Sequence, residues 1–366
     1  MAQLKLLLTV DYEIFGDGSG EVLPCMIQSS ENLMRIAEDY GAAILFFAEM
    51  NEYWAFKELE VEHPFYHKHQ EWAQLIERQL KNIIQRQHNV QLHLHPQWID
   101  ATLSKEGHWQ LNFDYWRLPK VPNGLGHKED PKSLLGLFHK GKQTLESILQ
   151  RNHPDYICDT FRAGAWCIQP EKQILDAMRQ IGFSKDSTLA PGMSMNNGLT
   201  YFDFSKSKSG FKPFPIDQKI TESSSAETSL TEFPIWTSKI NLLRNLYHTA
   251  LVLKRGLANN APNCIGQSAA KSQAAVKKQS FLKKAWELVR PQYKMLDFCG
   301  RKTSEELIYL SKRAIAMAQQ EPDDSTYPLV AIGHPKNFGN DNELRKWLDW
   351  VAKQKEMTFS TDGQLT

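Results

Sequence analysis

The chain alternates short apolar runs with longer stretches whose apolar positions recur every three to four residues. Leu4–Val10, Ala42–Ala48 (AAILFFA) and Val90–His95 are runs of the first kind and read as strands. Further strands are predicted at Tyr156–Phe161, Phe183–Asp186, Leu230–Trp236, Leu329–His334 and Met357–Ser360. Helical periodicity marks Ser30–Tyr40 behind a serine cap, and His69–Arg86, where Trp72, Leu75, Ile76, Leu80 and Ile83 share one stripe. It also marks Ser133–Leu149, Pro170–Ile181, Ser304–Ala318 and Asp341–Lys353. Strand and helix alternation along the whole chain predicts a parallel α/β architecture.

Two segments break the rhythm. Ser205–Ser229 is rich in serine, lysine and threonine and reads as a long loop. Residues 258–280 (ANNAPNCIGQSAAKSQAAVKKQS) are low in complexity and read as mobile. The second lies within a basic helical insertion, residues 241–302, with twelve Lys or Arg against two Asp or Glu. Leu243, Leu246, Tyr247, Ala250 and Leu251 form an apolar stripe, which is expected to pack on the main domain with a basic face outward. An anionic substrate or a membrane surface would be the sharper use of that charge.

At 366 residues the chain fits a single barrel domain, 1–366, carrying that insertion. A hydrophobic fraction of 41% and ten tryptophans supply a sizeable core. A net charge of +1 gives no global attraction to nucleic acid. Five widely spaced cysteines without a C-x-x-C pair argue against a zinc ribbon and suggest reduced thiols in a cytoplasmic protein. MAQLKLLLTVDYE lacks the cleavage site of a signal peptide and reads as a buried first strand ending at Asp11. No run reaches the ~18 apolar residues of a membrane span. There is no G-x-G-x-x-G after the first strand and no Walker loop, and GDGSG (16–20) reads as a tight turn.

Candidate chemistry sits at strand ends. His93 and His95 are separated by one residue, so on a strand they project to one face with backbones ~7 Å apart, close enough to converge on one metal ion. Asp11 and Glu13 share a face by the same rule. Two carboxylates and two imidazoles suit Zn²⁺ or a related divalent ion. Arg162 follows one strand candidate and His334 another. An arginine beside a carboxylate holds it charged, and a histidine can protonate a leaving group.

These motifs resemble, in order, those of the polysaccharide deacetylase family (the NodB-like homology domain). The T-F-D-D-G motif is matched by Thr9-Val10-Asp11-Tyr12-Glu13, and H-S/T-x-x-H by His93-Leu94-His95-Pro96-Gln97. The arginine motif is matched by Arg162-Ala163-Gly164-Ala165-Trp166, the G-F-x-x-D-S-S segment by GFSKDSTLAP, and L-x-H by Ile332-Gly333-His334. The chain departs from the pattern at Tyr12, Gln97 and Gly164, which stand where a second aspartate, a second histidine and a proline are usual.

The resemblance implies a distorted (β/α) barrel of about seven strands and a divalent metal, zinc above all. It implies hydrolysis of an N-acetyl or other acyl group on a sugar or glycoconjugate. It casts Asp11 as catalytic base, Glu13, His93 and His95 as metal ligands, Arg162 as the group that keeps Asp11 ionised, and His334 as general acid, with exchange of the Asp11 and Glu13 roles left open. Trp98 and Trp166, with Trp109, Tyr115 and Trp116, could stack on sugar faces. A cytoplasmic location would make the substrate a precursor, anionic or lipid-linked, with no nucleic-acid partner. A glycoside hydrolase, or a carbohydrate-binding protein without catalysis, are the competing expectations.

Overall fold

The computed structural model describes residues 2–59, 66–225, 228–266 and 292–366. The first strand, β1 (Gln3–Tyr12), lies next to one end of a curled, nearly all-parallel sheet and pairs with three other strands. It pairs with β2 (Ile44–Glu49) along its second half. β2 is buried at all six positions, the pattern of a parallel strand covered on both faces. The helices α1 (Ser29–Glu38), α2 (Met50–Lys57) and α3 (Tyr66–Gln85) precede β3 (Asn89–Leu94). After α4 (Leu134–Leu149) come β4 (Thr160–Ala163), α5 (Lys172–Ile181) and β5 (Lys185–Asp186).

The sheet is completed on one side by β6 (Phe214–Ile216) and β7 (Leu230–Glu232), which pair antiparallel to each other. A separate two-stranded ribbon, β8 (Thr237–Ile240) with β9 (Gln292–Met295), brackets α6 (Leu242–Arg255). Then follow α7 (Ser304–Ala318), β10 (Thr326–Gly333), α8 (Asp341–Val351) and β11 (Met357–Phe359). Strand order is β6-β7-β5-β4-β3-β2-β1-β10, with β11 against the first half of β1.

The sheet therefore has nine strands rather than about seven, and it is not a closed barrel. Between β7 and β10 the ladder is replaced by single contacts, such as Trp236 N–H to Val330 O and Ile332 N–H to Leu296 O, both 2.9 Å. Helix boundaries fall near the expected ones where periodicity is strong. α4 is capped by Ser133, whose hydroxyl accepts from Gly136 N–H at 3.1 Å. α1 has no side-chain cap, because a six-residue π-helical turn, Leu23–Gln28, feeds straight into it. The loop expected at 205–229 holds β6, and α2 was not expected at all.

The apolar stripe of α6 does not face the domain. Leu243 is 78% exposed, and Leu246 and Tyr247 are also exposed. The opposite side does the anchoring. His248 is buried, Arg244 stacks over Tyr309, and Arg255 pairs with Glu305 and Glu343. Residues 267–291 of the basic insertion, with 267–280 of the low-complexity segment among them, lie outside the described residues. Its first part is pinned: Ala261 N–H donates to Lys336 O, and Asn340 Nδ2 donates to Ala258 O. Cys264 is bonded to Cys25, 239 positions earlier. This corrects the expectation of five reduced thiols. Chain spacing could not reveal the pair, since only the folded loop brings Cys264 onto the approach to α1. Cys158, Cys167 and Cys299 are free and buried. Among the described residues no helix is long and apolar enough to cross a membrane.

Candidate active site

Strand register builds the site. Glu49 of β2 lies opposite His93 of β3, and His93 lies opposite Arg162 of β4. Val10 lies opposite Gly333, so Asp11 and His334 leave their strands side by side. The six residues expected to act in catalysis or hold a metal, Asp11, Glu13, His93, His95, Arg162 and His334, lie together at the C-terminal ends of β1, β3, β4 and β10.

Asp11 is the hub. Its Oδ1 accepts from Arg162 Nη1 at 2.8 Å, and its Oδ2 lies 3.5 Å from His334 Nε2 and 4.0 Å from His93 Nε2. Burial by itself would raise this carboxyl. Arg162 overrides it, helped by His93 and His334, and Asp11 is held well below the usual carboxylate range. Arg162 is fully buried and fixed from behind, donating from Nε to Ser187 O at 2.8 Å and from Nη2 to Ser187 Oγ at 3.1 Å.

Glu13, His93 and His95 form a buried cluster whose donor atoms lie within 4.8 Å of one another and could hold a metal ion. The His93 ring is oriented by a 2.8 Å contact between Nδ1 and Arg162 O. That contact requires the proton on Nδ1, which leaves the Nε2 lone pair free. His93 Nε2 is buried and has no hydrogen-bond partner among the described residues. Burial pushes the His93 imidazolium down to about 4, so the ring is the neutral form a metal needs. The donor set thus fits a divalent cation. Glu13 is also held low: burial would raise it, but Lys336 Nζ at 2.7 Å and His95 Nε2 at 2.8 Å prevail.

The departures from the family pattern acquire physical causes. Tyr12 points away from the cleft, where its hydroxyl donates to Gln79 Oε1 at 2.6 Å. Residues 11 and 13 face the site, so residue 12 cannot. Gln97 Nε2 lies 3.2 Å from His95 Nδ1 and 3.4 Å from Gly16 O, a support for the imidazole rather than a member of the donor cluster. At Gly164 a β-carbon would lie 2.6 Å from Leu94 O and 2.7 Å from the His95 ring, which leaves no room for the usual proline. Ala165 and Trp166 then take left-handed φ of 51° and 56°, a strained turn that sets both residues on the cleft.

The cleft has a volume of about 840 Å³ and is lined by Asp11, Glu13, His95, His334 and Trp166 among others. Trp98 is elsewhere. It is 3% exposed, packs edge-on against Phe56 and Trp109, and borders a separate cavity of about 720 Å³ beside α2. Trp116 lines the main cleft.

Several groups escaped sequence reasoning. Lys336 stands two residues beyond His334 in the short 3-10 turn Pro335–Asn337 that follows β10, where strand alternation no longer applies. Glu49 ends β2 as Asp11 nearly ends β1; it accepts from the His95 backbone N–H, and burial raises its pKa to about 7. Asp297 lines the cleft with its carboxyl raised by burial. Asp186 and Glu232 are opposite one another in the β5–β7 ladder, both buried, and burial raises both carboxyls. Asp186 stands in the GFSKDSTLAP segment already singled out, but no local signal marks Glu232 as its partner.

No family model matches the sequence, and no curated protein matches it. Among solved structures, a putative polysaccharide deacetylase from Mycobacterium smegmatis aligns over 98% of this chain and 88% of its own, at 12% identity and a TM-score of 0.43. A GH57-type branching enzyme from the archaeon Pyrococcus horikoshii aligns over 98% of this chain and 68% of its own, at 9% identity and a TM-score of 0.42. Likeness at this level leaves function to be argued from the side chains of the cleft.

Proposed function

We propose that this chain is a metal-dependent hydrolase that removes an N-acetyl, or another acyl, group from a sugar or glycoconjugate precursor. One observation carries the proposal. A buried carboxylate, Asp11, is kept ionised by Arg162 and faces a histidine on one side and a buried Glu13–His93–His95 donor set on the other.

In this scheme Glu13, His93 and His95 would hold the metal, with zinc favoured by two imidazoles and one carboxylate. Such an ion supplies Lewis-acid polarisation and a water of lowered pKa. Asp11 removes the proton from the attacking water, and Arg162 keeps it in the form that can do so. His334, 3.5 Å from Asp11 Oδ2, gives a proton to the departing amine. Lys336 balances the charge of Glu13 from the cleft wall. Trp166 and Trp116 offer flat faces to the sugar. The Cys25–Cys264 bond weighs against the reducing, cytoplasmic setting expected from the sequence.

A second reading draws on Asp297. Asp11, held ionised, and the half-buried Asp297, whose carboxyl is raised by burial, line one cleft and would be the base and acid of a glycoside hydrolase. The two readings separate in one assay. Acylated amino sugars and oligosaccharides are incubated with and without added Zn²⁺, and acetate and new reducing ends are measured. Zinc-dependent acetate release supports the deacylase. Metal-independent reducing ends would overturn it in favour of the glycosidase.

A further inference from the structure

Arg301 and Lys302 end the basic insertion, and both stand in the wall of the cleft that holds Asp11 and His334. The backbone presenting them is fixed. Gly300 adopts a left-handed φ of 68° that favours glycine. Its N–H donates to Asn337 O at 2.6 Å, and its carbonyl accepts from Asn340 Nδ2 at 2.8 Å and from Lys302 N–H at 2.9 Å. Thr303 then caps α7 by accepting from Glu306 N–H. The two cations are therefore held on rigid chain beside the turn that carries His334.

The acids of the cleft are already matched. Asp11 is paired with Arg162, and Glu13 with Lys336 and His95. Burial raises the Asp297 carboxyl, and Lys302 is the chief charge opposing that rise. Lys302 leans on Glu306 at 3.4 Å and is 20% exposed. Arg301 has no hydrogen-bond or ion-pair partner among the described residues. A free guanidinium next to an ammonium, inside a concave wall, is suited to a phosphoryl group: the planar fork binds two oxygens and the ammonium adds a point charge.

We propose that Arg301 and Lys302 form a subsite for a phosphate ester on the substrate, so that the preferred substrate is a phosphorylated acylamino sugar rather than a neutral one. This rests on the deacylase reading of the same cleft. A free sugar phosphate, a nucleotide-linked sugar and a lipid-linked sugar all present that chemistry.

The test compares kcat/KM for N-acetylglucosamine, its 1-phosphate, its uridine diphosphate conjugate and a short polyprenyl diphosphate conjugate. The enzymes are the full chain and its Arg301→Ala and Arg301→Lys variants. Calorimetric binding of N-acetylglucosamine 1-phosphate runs in parallel and needs no turnover. The phosphorylated-over-neutral ratio is expected to fall at least tenfold in Arg301→Ala, mainly through KM, and to recover partly in Arg301→Lys. Raising salt should erode the same ratio. Faster turnover of the uridine or polyprenyl conjugate than of the 1-phosphate supports the subsite and identifies its source. A ratio unmoved by Arg301→Ala overturns the subsite and leaves deacylation standing. If no sugar is deacylated but the 1-phosphate binds at least tenfold more weakly to Arg301→Ala, the subsite stands and the deacylase reading falls. Binding that ignores Arg301 overturns the subsite.

Discussion

Arg162 donates to Asp11 across 151 positions of sequence, at 2.8 Å and in near-complete burial. A buried charge pair tolerates the loss of neither member. Arg162→Met should destabilise the fold by about 3–5 kcal/mol, because Asp11 would be left charged and uncompensated. It should also cut kcat roughly 100-fold and move the acid limb of the pH–rate profile upward, as Asp11 returns toward a raised, buried carboxyl. An acid limb that stays in place would show that another group is the base.

The metal assignment has a readout independent of turnover. Purified protein is expected to retain about one divalent ion per chain, and His93→Ala to retain almost none, since His93 offers the one bare, oriented lone pair of the cluster. Equal metal content in the two proteins by elemental analysis would remove His93 from the site.

The Asp186–Glu232 pair makes stability depend on pH. Burial, the largest influence, raises both carboxyls in the folded state. The folded chain therefore keeps protons that the unfolded chain has lost, and the stabilisation is full below the ordinary carboxylate range and lost as pH rises toward the folded values. Glu49 and Glu52 act in the same sense. Glu232→Gln keeps an acceptor for the Leu189 N–H and gives Asp186 a permanent donor. Calorimetric Tm measured from roughly pH 5 to pH 9 should fall less in the variant than in the parent. Parallel curves would mean that the pair does not share a proton.

Trp98 and Trp166 should respond oppositely to truncation. Trp98 packs against Phe56 and Trp109 away from the cleft, so Trp98→Ala is expected to cost about 3–5 kcal/mol while leaving KM within a few-fold. Trp166 lines the cleft, so Trp166→Ala should raise KM with a smaller change in Tm. A raised KM with unchanged Tm in Trp98→Ala would return that residue to the substrate.

Peptide mapping without reductant should recover Cys25 linked to Cys264, with Cys158, Cys167 and Cys299 alkylated only after unfolding. Cys264→Ser should lower stability by about 2–5 kcal/mol, since the bond closes a long loop. Free Cys25 in protein isolated under alkylating conditions would remove the bond from the native state.

The chain's own periodicity determined where most of the longer strands and helices run, because burial on one or both faces leaves a local signature in sequence, whereas the short α2 and β6 left none. The end of a parallel strand is where α/β folds hold chemistry, so Asp11, Glu13, His93, His95, Arg162 and His334 were legible as a set before any contact was known. What only the tertiary structure decided depends on register and on contacts between distant segments. The level of Glu49, His93 and Arg162 across three strands, the Lys336–Glu13 pair and the Asp186–Glu232 pair are of this kind. So are the Cys25–Cys264 bond and the open, incomplete barrel. The outward apolar stripe of α6 belongs with them. Amphipathic spacing says that a helix has two faces, but which one is covered is set by the neighbours, here Thr303 and Tyr309 against His248.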